Sequence, residues 1–244
     1  MHPPHPMPTE RQTALFINGN ELIRIQTTPV DLEDWAVGFL YSEAIIDSPA
    51  DLRSVRVDTD RPAVYAVVDP ARLPDAGLLA ARYGRTGAGP AAAFRAGAGH
   101  RRLLPVTHGL TVSRARLAAW MRRLQEATPL YAATGGMHAA GVAHLPSDAL
   151  LVREDIGRHN AVDKALGAAL RAGWPAEETV LLATGRISYE MCCKVARAGI
   201  GVAASLSAAT DQAINLAGEL GIDLAGYAKG PERMVVYTAG ARIR

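Results

Sequence analysis

The sequence predicts an α/β fold whose second half alternates strands with helices. Short apolar runs such as TVLLATG and GVAASLS have strand character, and the segments between them repeat apolar residues at helical spacing. The connections are only a few residues long, as strand–helix units require. About half of the 244 residues are apolar (49%), enough for a substantial core and too many for a disordered chain. Alternation of this kind argues for a layered sheet with mostly parallel later strands.

Residues 1–10 read as a flexible tail. ALFINGNELIRIQT then gives two strands turning at Asn18-Gly19-Asn20, a hairpin signal. TPVDLEDWAVGFLYSEAII opens a helix, with Asp31 as candidate N-cap and acidic residues in the first turn. Leu32, Trp35, Phe39 and Leu40 of that segment share helical spacing. VRVDTD and AVYAVVD read as a second strand pair. Residues 83–100 are Gly- and Ala-rich and read as a mobile connection. The sequence therefore divides into a small amino-terminal α+β part over 11–105 and a larger α/β part over 106–244.

The larger part starts with a helix over about 113–127, with Leu117, Trp120, Met121 and Leu124 on one stripe. GVAHL and ALLVRED pair around Pro146-Ser147-Asp148. Next come a helix over 160–172, the strand TVLLATG, a helix over 188–198, the strand GVAASLS and a helix over 210–220. DLAGYA and MVVYT close the chain as strands.

Composition excludes several classes. The formal charge is only +2 and the arginines are scattered, which argues against a nucleic-acid-binding face. No apolar run reaches the roughly 20 residues needed to span a bilayer. The opening MHPPHPMPTE lacks the basic region and apolar stretch of a secretory signal. A soluble, cytoplasmic protein is expected. Cys192 and Cys193 are adjacent and cannot form a disulfide framework; their plain reading is small core residues. Of 26 basic residues only Lys164, Lys194 and Lys229 are lysines, which suggests sites where a compact ammonium suits better than a planar fork.

Polar clusters fall at strand-to-helix turns, where an open α/β sheet binds ligands. REDIGRHNAVDK contributes Asp155, Gly157, Arg158, His159, Asn160 and Lys164. ATGRISYEMCCK contributes Gly185, Arg186, Ser188 and Lys194. TGGMHAA contributes Thr134, Gly135, Gly136 and His138. Glycines there permit close backbone approach, Ser188 can cap its helix, and Arg158 and Arg186 can each grip a phosphate with two hydrogen bonds. The clusters together read as a pocket for an anionic ligand. His138, His159 and Asp155 lack the His/Cys spacing of a zinc site, so no metal is expected.

TGGMHAAGVA, REDIGRHNAVDKALG, TGRISYEMCCKVARAGI and GYAKGPERMVVYT resemble, in order, the signature blocks of the formate dehydrogenase accessory sulfurtransferase (FdhD/NarQ) family. NGNELIRIQTTPVDLEDWAVGFLYSEAII resembles its amino-terminal block. The resemblance implies a cytidine-deaminase-like three-layer α/β/α sheet with a smaller amino-terminal part. It also implies sulfur transfer from a cysteine desulfurase to the molybdenum cofactor before insertion into formate dehydrogenase or a related molybdoenzyme. Implied ligands are bis(molybdopterin guanine dinucleotide) or a guanine nucleotide such as GDP. The segment carried over for that cofactor is Tyr227, Ala228, Lys229, Gly230, Pro231 and Glu232, and a homodimer is implied by analogy.

One departure stands out. The family's sulfur carrier is a CGxC pair, and the corresponding stretch here is RTGAGPAA, with Ala88 and Ala91 in place of the cysteines. A methyl group cannot form a persulfide, which requires a nucleophilic thiolate. Cofactor binding without sulfur relay is therefore the expected function. Two alternatives are sulfur transfer through Cys192 or Cys193, and a diverged nucleotide-dependent enzyme using His138, His159 or Asp155 as acid or base.

Overall fold

Alternating side chains along β7 show how the larger part is layered. The structure, a computed structural model, describes residues 6–58, 60–73, 103–238 and 240–244. The Gly/Ala-rich connection, with Ala88 and Ala91, lies outside the described residues. In β7 (Thr179–Ala183), Val180 and Leu182 point into one apolar cluster and Leu181 and Ala183 into another. Period-two alternation with both faces apolar is the signature of a strand buried on both sides.

Helix α2 (Arg114–Glu126) covers the first face with the expected stripe of Leu117, Trp120, Met121 and Leu124. The second face packs on α4 (Arg158–Arg171), α5 (Tyr189–Arg197) and α6 (Asp211–Leu220). The sheet between them has the order β10-β9-β8-β7-β5-β6. Its strands are β5 (His138–His144), β6 (Leu150–Asp155), β7, β8 (Val202–Ser205), β9 (Asp223–Gly226) and β10 (Val235–Val236). Strands β7, β8 and β9 run parallel, each joined to the next through a helix. The expected β5–β6 pair is an antiparallel hairpin, and β5 and β10 each lie antiparallel to their inner neighbours, so the sheet is mixed. A short helix, α3 (Pro129–Thr134), precedes β5; sequence pattern does not reveal it, because six residues are too few to show periodicity.

The amino-terminal residues form a second sheet, ordered β2-β1-β4-β3. Hairpin β1 (Arg11–Ile17) and β2 (Asn20–Thr27) turns at Asn18-Gly19, both at positive φ as a tight hairpin turn requires. Hairpin β3 (Leu52–Asp58) and β4 (Ala63–Val68) joins it through a parallel β1–β4 pairing. Helix α1 (Leu32–Ser42) buries Leu32, Trp35, Phe39 and Leu40 against this sheet. Asp31 occupies the N-cap position in a left-handed conformation, and its side chain makes no capping bond. The carboxylate instead lies 3.7 Å from Arg153.

The other side of α1 meets α4 backbone to backbone. A methyl group on Gly38 would overlap the Asp163 carbonyl, and one on Gly167 would overlap the Asp34 carbonyl. Glycine is required at both positions for the two helices to touch. This crossing ties the two sheets together. Among the described residues no helix is long and apolar enough to cross a membrane.

Candidate functional site

The ends of β6, β7, β8 and β9 and the start of β5 meet at one edge of the large sheet. His138 opens β5 opposite Asp155, which ends β6. Ala183 at the end of β7 pairs with Ser205 at the end of β8. The Tyr227–Lys229 segment is tied in by Tyr227 N–H to Ser207 and Ala228 N–H to Ser205. Blocks far apart in sequence thus share one edge, which is where helix N-termini gather in open α/β sheets.

A cleft of about 710 Å³ opens there. Its walls include Gly135, Gly136 and His138 from the TGGMH block, Thr184 after β7, Leu206 after β8 and Lys229. Gln125, Thr128 and Tyr131 complete it from α2 and α3, and sequence reasoning misses these together with the short helix. Arg158 packs beside the His138 rim. A methyl group on Gly185 would stand 3.1 Å from Arg158 Cβ and 3.2 Å from His138 Nδ1, so all three residues share one point. The Arg158 Nε atom beside that rim and the Ser188 Oγ atom at the start of α5 are buried without a hydrogen-bond partner among the described residues. Such donors are unfavourable when left empty and suit an anionic oxygen. Ser188 does stand at the N-cap of α5, but its hydroxyl accepts nothing from that helix, contrary to the capping expectation. Arg186, Tyr227, Pro231 and Glu232 are exposed around the site, and Gly230 is half-buried.

Several expected ligand residues instead hold the floor. The Asp155 carboxylate is fully buried and accepts from Thr28 N–H, Gly157 N–H, Asn160 Nδ2 and Lys164 Nζ, at 2.7–3.0 Å. Lys164 also donates to the carbonyls of Thr28 and Glu154. Lys194 lies between Asp163 (2.8 Å), Glu43 (3.4 Å) and the Ser42 hydroxyl (2.9 Å), all buried. Asn160 bridges Asp155 to the Gln26 carbonyl. Ala228 faces the core. Thr134 Oγ donates back to Leu130 and accepts from Gly136 N–H. The reading of Asp155, Asn160, Lys164, Lys194 and Ala228 as ligand contacts is therefore corrected. Buried polar groups must be satisfied, and these are satisfied from within. All four of the donors to the Asp155 carboxylate come from within the chain. Glu154, which the sequence does not single out, accepts from Leu130 N–H (3.0 Å) and Tyr131 N–H (2.7 Å) and so anchors the start of α3. Those partners lie more than 20 positions away, so no local motif signals the contact.

The two histidines are unlike. Burial, then Lys194, Arg158 and His138, pushes His159 down to about 4. Its Nε2 lies 3.2 Å from a Glu190 carboxylate oxygen, at ion-pair distance but without hydrogen-bond alignment. At neutral pH the ring is therefore uncharged. His138 is lowered by burial and Arg158, while Asp155 opposes the shift. Among the described residues no group of three or more His, Cys, Asp or Glu is arranged to hold a metal.

Cys192 and Cys193 lie on the buried side of α5 with no exposed surface. Burial, joined by the neighbouring Cys193, pushes Cys192 up to about 12, and burial does the same to Cys193. A buried, protonated thiol offers no thiolate to a sulfur donor. The alternative of sulfur transfer through these two residues loses its physical basis.

The FdhD/NarQ family model matches residues 8–244. A sulfur carrier protein FdhD of Xanthomonas campestris is 38% identical over 239 residues, covering 96% of this chain and 84% of the relative. A protein of the same name from Geobacillus kaustophilus is 34% identical over 230 residues, covering 94% and 87%. The crystal structure of a protein from Desulfotalea psychrophila, described as a formate dehydrogenase accessory protein, matches with a TM-score of 0.76 at 25% identity, covering 97% of this chain and 90% of that one. With its polar blocks gathered on one cleft and its whole length matched, this chain belongs to the FdhD/NarQ family.

Proposed function

We propose that this protein holds a bis(molybdopterin guanine dinucleotide)-type cofactor, or a guanine nucleotide such as GDP, at the sheet-edge cleft. In this reading it assists maturation of formate dehydrogenase or a related molybdoenzyme in the cytoplasm, without relaying sulfur through a cysteine of its own. The reading rests on one observation: separate polar blocks converge on a cleft, and the Arg158 Nε beside its His138 wall and the Ser188 Oγ at the start of α5 lie buried and without a partner among the described residues. Those donors suit phosphate oxygens, with Lys229 and Arg186 adding charge from the rim. Gly135, in the left-handed region with open space around it, allows close backbone approach. A bound cofactor would supply the metal chemistry, while this chain would bind and orient it. His159, neutral at physiological pH, would leave the positive charge of the site to Arg158, Arg186 and Lys229.

The relatives are named sulfur carriers. This chain has two cysteines, both buried with raised pKa, and we place Ala88 and Ala91 where the family's carrier pair stands. Sulfur would then reach the cofactor by another route, such as a homologue with an intact pair. A cysteine desulfurase and a second copy of this chain are the partners the family pattern suggests. The test is mass spectrometry of protein purified from its host, before and after incubation with desulfurase and cysteine. Bound pterin dinucleotide and an unmodified chain are expected. Stoichiometric persulfide on Cys192 or Cys193, with client activation lost in Cys→Ser variants, would overturn the reading.

A further inference from the structure

Thr28, just beyond β2 of the amino-terminal sheet, is fastened to the β6–α4 turn through three of its atoms. Its N–H donates to Asp155 Oδ2 at 3.0 Å, its carbonyl accepts from Lys164 Nζ at 2.9 Å, and its hydroxyl accepts from Ile156 N–H at 3.2 Å. Two residues earlier, the Gln26 carbonyl accepts from Asn160 Nδ2 at 2.8 Å. The other oxygen of Asp155 holds Gly157 N–H at 2.8 Å and Asn160 Nδ2 at 3.0 Å. Gly157 stands at the N-cap of α4 and supplies no side-chain cap, so the turn is braced by Asp155 and Thr28 instead. An unbraced glycine leaves the aim of the next residues open. Here those residues are Arg158 and His159.

We infer that Asp155, with Lys164 beneath it and Thr28 across from it, is a positioning residue that sets Arg158 beside His138 and Gly185 at the cleft wall. The small amino-terminal sheet thereby shapes the ligand-binding turn of the larger part. This rests on the cleft reading above. Direct contact between Asp155 and a ligand is ruled out by its complete burial and its four donors. The ion pair to Lys164, 2.7 Å long with both side chains fully buried, makes the device stiff, since neither charge can turn to solvent.

The test uses the full-length protein with Asp155→Asn and Thr28→Val, each alone and combined with Arg158→Ala. Amide hydrogen exchange of residues 156–160 is followed without ligand, and GDP affinity is measured by calorimetry. Thr28→Val removes only the hydroxyl's bond to Ile156, leaving Asp155 and Lys164 paired, so it remains informative if Asp155→Asn folds poorly. Both variants should speed exchange across the turn. Asp155→Asn should weaken GDP binding by about tenfold and Thr28→Val by about threefold. In the Arg158→Ala background neither should weaken it further, because their effect passes through Arg158. Arg122→Ala, on the exposed side of α2, should change neither readout. Unchanged exchange at 156–160, or full additivity with Arg158→Ala, would overturn the inference. Failure of the unmodified protein to bind GDP would instead sink the cleft reading, and the exchange measurement alone would then decide for or against the positioning role.

Discussion

The layer beneath the sheet edge and the rim above it use the same residue type in opposite ways. Beneath, Lys164 and Lys194 are buried, and their ammonium groups lie among carboxylates, carbonyls and a hydroxyl from four places in the chain. Above, Lys229 is exposed and lines the cleft. The buried pair fastens the amino-terminal part to α4 and α5, while the exposed one stands at the cleft wall. A chain that otherwise uses arginine keeps lysine where a small charge must be enclosed, and at one place where it must stay free.

The strongest way to break this contrast is to remove a buried ammonium. Lys194→Met leaves Asp163 and Glu43 facing each other without their cation, and a loss of about 3–5 kcal/mol is expected in denaturant titration. Pairing it with Asp163→Leu should restore only part of that loss, because one of the two buried carboxylates is removed while Glu43 still lacks the Lys194 ammonium. A Lys194→Met protein as stable as the unmodified one would mean that the lower layer is not structural.

A change of pH sharpens the comparison next. His159 has its pKa depressed from 6.5 to about 4, so the unfolded chain binds the extra proton first as pH falls. Stability from this group is therefore complete above about pH 6.5 and lost progressively towards pH 4, by up to roughly 3 kcal/mol. His159→Gln should flatten that part of the stability–pH curve. An equal slope in both proteins would show that the imidazole is not held neutral by its surroundings.

The rim should respond in binding and hardly at all in stability. Lys229→Ala is expected to weaken GDP binding by about tenfold, the loss of one charge-assisted contact. Its melting temperature should stay close to that of the unmodified protein, as for other surface changes. A large drop in melting temperature with unaltered affinity would reverse the assignment of the two layers. Arg122→Ala marks the small end of the scale, with neither property expected to move.

The cysteines show why a motif can be legible while its use is not. Adjacent cysteines in SYEMCCK are readable as core residues, and α5 buries both. The same stretch is readable as a helix start with a capping serine, yet Ser188 caps nothing and its hydroxyl lies buried without a partner among the described residues. Capping depends on where the neighbouring backbone goes. Here Ile187 is bonded on both sides, its N–H to Ala208 and its carbonyl to Thr210 N–H, and those partners lie some 20 residues along the chain.

Local pattern determined the elements themselves. The hairpin at Asn18-Gly19, the stripe on α2 and the apolar run of β7 are each written within a dozen consecutive residues, because a helix on a core needs one apolar face and a strand buried on both sides needs two. Even the gathering of polar blocks at strand ends came from the order of elements. Tertiary structure alone decided which polar residues face the cleft and which lie under it. Asp155 and Arg158 stand three residues apart in one block, yet one is sealed by Thr28 and Lys164 while the other keeps a donor at the rim with no partner among the described residues. That division depends on partners more than 100 positions distant, brought close by the Gly38–Gly167 helix crossing, and no pattern along the chain encodes the satisfaction of a buried charge by a residue so far away.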